Sequence, residues 1–228
     1  MQSSINMSVK EIFQDDSKEV AKLYFDENYG FRNMPVLFKN AFQGISCPEE
    51  IEGFTPAPFL ESWLDKYQTA ESPHTILSKS WVTTGDFNSG LRKNTWNLSS
   101  WHWIKSGELL WEFYPPITID YLFQQNEIND LFSTIDNDDS YFINKFEQND
   151  IKPLRVKQAP GELLYIPPKF GYIFNSQLGS TKFFSKIILN EYNHDNLYAY
   201  FRNTPYRNII KNTIFPGFKN TTPLSQMI

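Results

Sequence analysis

The sequence predicts a mainly β domain with helical decoration (α+β), and three observations carry that prediction. Short apolar runs recur between proline and glycine punctuation from about residue 76 onward. Helical spacing of apolar residues is confined to a few segments. Aromatic side chains are abundant, with 20 Phe, 12 Tyr and 6 Trp among 228 residues, which gives material for a large core. No change of composition divides the chain, and no repeat of solenoid or propeller period is present. One domain is therefore expected over 1–228, with a barrel or sandwich core at about 34–192 and a C-terminal extension at 193–228.

The elements follow in order. Val9, Ile12, Phe13, Val20, Leu23 and Tyr24 lie at helical spacing, and Ser17 is a candidate cap for a helix reaching about Asn28. Pro35 to Phe38 is a short strand-like run. Phe59, Trp63 and Tyr67 recur every four residues and predict a helix. Strands are expected at Trp81–Thr84, Thr95–Lys105 and Leu109–Tyr114, the last two joined as a hairpin through Ser106-Gly107. Pro115-Pro116 ends that pair, because proline donates nothing to a ladder. A helix is expected from Asp120 to Ile135. Further strands are expected at Leu154–Val156, Leu163–Ile166, Tyr172–Asn175 and Lys182–Asn190, and a helical stretch at Leu197–Phe201.

Bulk properties narrow the function classes. The net charge of -5 argues against a nucleic-acid partner, which needs a basic face. Cys47 is the single cysteine, so neither an internal disulfide nor a Cys-based zinc site is available. The polar start, Met1 to Lys10, has no apolar core of a signal peptide, and no run approaches the roughly 20 apolar residues of a membrane span. An intracellular, soluble protein is expected, its compartment left open.

Three segments have a common likeness. Met34 to Phe42 contains Pro35-Val36 leading an apolar run. Ser106 to Pro116 carries a glycine turn, Trp111 and a closing Pro-Pro. Ala159 to Pro168 reads Ala-Pro-Gly-Glu-Leu-Leu-Tyr-Ile-Pro-Pro. In this order they resemble the JmjC and cupin-8 family of oxygenases. That resemblance implies a double-stranded β-helix, a cupin/JmjC-like jelly-roll barrel, and in active members Fe(II) held by two His and one carboxylate, with 2-oxoglutarate as cosubstrate.

The chemistry implied by the resemblance does not carry over. The positions of the family's His-x-Asp/Glu pair fall on Asn94 and Trp96, that of the second His on Tyr172, and that of the cosubstrate lysine near Leu109. Nor does a shifted alignment restore the pair, because the three histidine triplets are His74-Thr75-Ile76, His102-Trp103-Ile104 and His194-Asp195-Asn196. No catalytic residue, metal site or cofactor is therefore expected. Asn94, Trp96, His102, Leu109 and Tyr172 form a candidate pocket set, either a ligand site with aromatic walls or bulk that fills a vacated centre. His102 lies between Trp101 and Trp103, and strand alternation sends it to the opposite face from both. Glu108 and Glu112 share one strand face, where solvated carboxylates are expected.

After Asp195 the chain carries Arg202, Arg207, Lys211 and Lys219 among many aromatics and no acidic residue. This stretch is a candidate partner-binding arm, or a tail packed on its own acidic domain. The expected function is a catalytically degenerate JmjC/cupin-like protein acting as a binding or structural subunit of a larger assembly, with homodimerisation also open. The alternatives are an Fe(II)/2-oxoglutarate hydroxylase with atypical ligands and a small-molecule binding protein with an aromatic pocket.

Overall fold

The computed structural model describes residues 10–13, 34–39, 62, 79–85, 87–119, 144, 148, 151–176, 179–190, 193, 195, 196 and 199. Within them the chain is mainly β. The strands are β1 (Lys10–Phe13), β2 (Val36–Lys39), β3 (Lys79–Thr84), β4 (Phe87–Asn88), β5 (Arg92–Lys93), β6 (Ser99–Ser106), β7 (Leu109–Tyr114), β8 (Leu154–Gln158), β9 (Leu163–Ile166), β10 (Gly171–Ser176) and β11 (Thr181–Ile188). Sheet A is ordered β1-β2-β9-β6-β11-β3. Sheet B is ordered β4-β10-β7-β8, with β5 also on β10. Every pairing is antiparallel except that of β1 with β2.

The pairings are nested. β7 pairs β8, β6 pairs β9, β4 and β5 pair β10, and β3 pairs β11. Successive nested pairs alternate between the two sheets. The chain from β3 to β11 is thus one long hairpin curled so that its layers form two sheets. Additional pairing of β6 with β11 and of β7 with β10 joins the layers within each sheet.

The inner faces read directly from strand alternation. Leu37, Ile104, Leu164, Ile166 and Phe183 of sheet A meet Leu109, Trp111, Phe113, Val156, Tyr172 and Phe174 of sheet B in one buried cluster. The two sheets treat their outer faces differently. β8 alternates, sending Arg155 and Lys157 to water where they pair with Glu112 and Glu108 at 2.8 and 2.7 Å. These are the solvated carboxylates expected from the sequence, now with partners. In β6, by contrast, Trp101 and Trp103 on the outer face are as buried as His102 and Ile104 on the inner one, so this strand is covered on both faces.

Four expectations are corrected. The strand expected from Thr95 begins only at Ser99, because Trp96 and Asn97 take left-handed backbone angles (φ 55°) in a 3₁₀ turn. Lys10–Phe13 is a strand rather than part of a helix, since parallel pairing with β2 outweighs the helical spacing of Ile12 and Phe13. Ser106-Gly107 does not close a hairpin either. β6 and β7 lie in different sheets, so the turn carries the chain from one layer to the other. Gly107 permits that crossing with φ 80° and a close approach to Thr181, whose hydroxyl donates to Glu108 O at 3.2 Å. Pro116 opens a helical stretch at 116–119 instead of merely stopping the strand. The helices expected at Phe59–Tyr67 and Asp120–Ile135 lie outside the described residues, Ser62 apart. Residues 195, 196 and 199 are helical. No helix among the described residues is long and apolar enough to cross a membrane.

Gly107→Ala is expected to destabilise the fold by about 2 kcal/mol or more, from a strained φ and a Cβ forced against the chain. That Cβ would sit 2.8 Å from Thr181 Cα. Urea unfolding followed by tryptophan fluorescence measures it, and an unchanged midpoint would contradict the close packing of this turn.

Candidate functional site

Three of the five pocket residues read from the sequence come together at one end of the layer between the sheets. Asn94 enters from the turn before β6, His102 from the inner face of β6, and Tyr172 from β10. Their link is Ser100, two residues before His102 and so on the same strand face. The Asn94 amide donates to Leu98 O at 3.0 Å and to Ser100 Oγ at 2.9 Å. Its carbonyl accepts from the Tyr172 hydroxyl at 3.2 Å. Ser100 Oγ lies 2.8 Å from His102 Nε2, with one proton shared between them.

Aromatic rings enclose this chain. His102 lies 4.8 Å from Trp111, 6.2 Å from Tyr172 and 6.3 Å from Phe183, centroid to centroid. Trp111 in turn stacks on Phe113 and tilts against Phe174. His102 is 3% exposed. Burial pushes its imidazole down to about 3, so it is neutral. Burial likewise pushes the Tyr172 phenol up to about 12, against the opposing pull of the Arg92 charge. His102 Nδ1 is buried and has no hydrogen-bond partner among the described residues. Of the two readings of His102, the buried strand histidine holds for its position, while one ring nitrogen stays unsatisfied.

A second knot lies on the same side chains. The Gln158 carboxamide accepts from Trp111 Nε1 at 3.0 Å and donates to His102 O at 2.8 Å and Glu162 O at 3.0 Å. Gln158 is fully buried on β8, so its amide reaches across from sheet B to the backbone of sheet A.

The other two pocket residues fall elsewhere. Trp96 is buried in the left-handed turn that carries Asn94, outside the interior cluster. Leu109 is in that cluster, but pairs with Gln158, whereas Tyr172 pairs with Phe113 four residues further along β7. That spacing is roughly 13 Å along the strand. Ser100, Gln158 and Arg92 were not singled out from the sequence. Ser100 was within reach, since alternation from His102 points to it; Gln158 was not, because nothing local marks a glutamine that spans two layers. Cys47, His74, His194 and the arm residues Arg202, Arg207, Lys211 and Lys219 lie outside the described residues.

As a donor set the cluster does not fit an Fe(II) centre of the two-His, one-carboxylate kind. It contains one imidazole, whose Nε2 is occupied by Ser100, an amide engaged through both of its polar atoms, and a protonated phenol. No group of three or more His, Cys, Asp or Glu able to hold a metal occurs among the described residues.

The pH dependence follows from His102. Its folded pKa lies below the unfolded value of 6.5, so the unfolded chain takes up a proton first. The stabilisation is complete above about pH 6.5 and is lost as pH falls toward 3. Between pH 7 and 5 the protein is expected to lose about 2 kcal/mol that a His102→Gln variant does not lose. Urea midpoints at the two pH values check this, and parallel losses in both proteins would contradict it. Gln158→Leu, which strands Trp111 Nε1, His102 O and Glu162 O, is expected to cost about 3 kcal/mol in the same assay.

No protein-family model matches the chain, and no curated protein matches it.

Proposed function

We propose that the chain is a catalytically degenerate JmjC/cupin-like protein whose two sheets form a double-stranded β-helix, and that it serves as a binding or structural subunit of a larger assembly. The nested pairing supports the fold half. With β4 and β5 counted as one interrupted strand, β3 to β11 are eight strands, and their pairs are first with eighth, second with seventh, third with sixth and fourth with fifth. Such nesting supports a jelly roll.

The observation that carries the functional half is the hydrogen bond from Tyr172 to Asn94. The resemblance implies metal ligands at both positions. Here the two side chains are neutral, buried and bonded to each other, and Asn94 spends its remaining capacity on Leu98 and Ser100. A centre whose polar atoms satisfy one another supports packing rather than coordination. What such a fold retains is a rigid scaffold for recognition on its surface.

One observation favours the second reading, a remodelled oxygenase: Nδ1 of His102 has no partner among the described residues. The two readings part in one experiment. Protein purified with added Fe(II) or Mn(II) is expected to retain no stoichiometric metal and to release no succinate from 2-oxoglutarate. A stoichiometric metal that is lost on His102→Ala would overturn the proposal and establish the alternative.

A further inference from the structure

The edge of sheet B formed by β4 and β5 is broken. Between them Ser89 bonds back to Phe174, its N–H donating to Phe174 O at 3.0 Å and its hydroxyl accepting from Phe174 N at 2.9 Å. Gly90 takes φ 65°. The break leaves two inner-face side chains where the layer between the sheets meets solvent. Arg92 is the register partner of Tyr172, and Phe87 that of Ser176, so both project from the inner face of the sheet.

Phe87 and Arg92 bracket Phe174. The Phe87 ring lies 5.9 Å from it and is 40% exposed. The Arg92 guanidinium carbon lies 5.8 Å from the Phe174 centroid. Rings then lead inward, from Phe174 to Trp111 at 5.0 Å and from Trp111 to His102 at 4.8 Å. Arg92 is half-buried and fixed twice, by the ring face and by Nε donating to Ser89 O at 2.9 Å. Its terminal N–H groups have no hydrogen-bond or ion-pair partner among the described residues. By contrast, Arg155 and Lys157 on the outer face of the same sheet both have a carboxylate.

A guanidinium held in place over a buried aromatic ring has most of its rotamer entropy already spent. Its free fork matches a planar carboxylate in two parallel hydrogen bonds. One guanidinium carries one positive charge, which matches a single carboxylate. The Phe87 ring, exposed where the buried Phe174 ring is not, offers an apolar face beside it.

We propose that this broken edge binds a small monocarboxylate with a flat apolar body, the carboxylate on Arg92 and the body against the exposed Phe87 ring. The site differs from the Asn94–His102–Tyr172 cluster and does not depend on whether the centre has lost a metal.

The test is a titration of the full chain with benzoate, read by calorimetry and by amide NMR shifts at Phe174 and Arg92. Benzoate is expected to bind, and acetate, benzamide and inorganic phosphate to bind roughly tenfold more weakly or worse. Arg92→Gln is expected to lose about tenfold or more in benzoate affinity, with Arg92→Lys intermediate because it keeps the charge and loses the fork. Phe87→Ala, at a half-exposed position, tests the apolar half without disturbing the core. No benzoate binding, equal binding of phosphate or acetate, or unchanged affinity in both Arg92→Gln and Phe87→Ala would overturn the proposal. None of these outcomes bears on metal retention or succinate release, so the two proposals fail separately.

Discussion

The Gln158 carboxamide is the tie on which the interior depends. It is fully buried, where each polar atom must find a partner or cost about 1–3 kcal/mol. One amide answers three such demands, from the Trp111 indole, the Glu162 carbonyl and the His102 carbonyl. By binding the backbone of His102 it fixes the spacing of the two sheets at the level of the buried imidazole. The Asn94–Ser100–His102 chain then has a defined wall to pack on, and the aromatic rings around Trp111 settle against both. In a low-dielectric layer such networks are rigid when satisfied and costly when broken.

Much of the strand content was legible in the sequence because its signals are local. Pro115-Pro116, Pro160-Gly161 and Pro167-Pro168 bound β7, β8 and β9 closely, and Leu109–Tyr114 and Leu163–Ile166 match the structure end to end. Which strands pair was not legible. The Gly107 turn reads locally as a hairpin, yet the strands it joins belong to opposite sheets. Only tertiary pairing with β9, β10 and β11, more than forty residues on, decides that. Lys10–Phe13 failed for the same reason, since its strand state comes from β2.

The site was half legible. Alternation placed His102 opposite Trp101 and Trp103, and the structure puts His102 inside. The resemblance pointed at Asn94 and Tyr172, which do meet. It also pointed at Leu109, which lies four positions along β7 from the partner of Tyr172, and at Trp96, because counting residues back from a turn assumes regular strand geometry. The left-handed pair Trp96-Asn97 breaks that geometry just before β6. Arg92 went unnoticed because an arginine between Leu91 and Lys93 carries no pattern; only its register opposite Tyr172 reveals its orientation.

The interruption between β4 and β5 has a consequence for self-association. A long straight edge strand offers a row of unpaired backbone groups on which another chain can template itself. Here that border of sheet B is split into two pieces of two residues each, and the intervening backbone turns inward to Phe174. An incoming strand would find no continuous ladder to extend. At the opposite border β8 carries Arg155 and Lys157, whose charges discourage a neighbouring strand in a different way. Sheet B is therefore guarded at both borders against runaway strand addition, so copies of this chain that meet must do so through side chains rather than by extending a common sheet B.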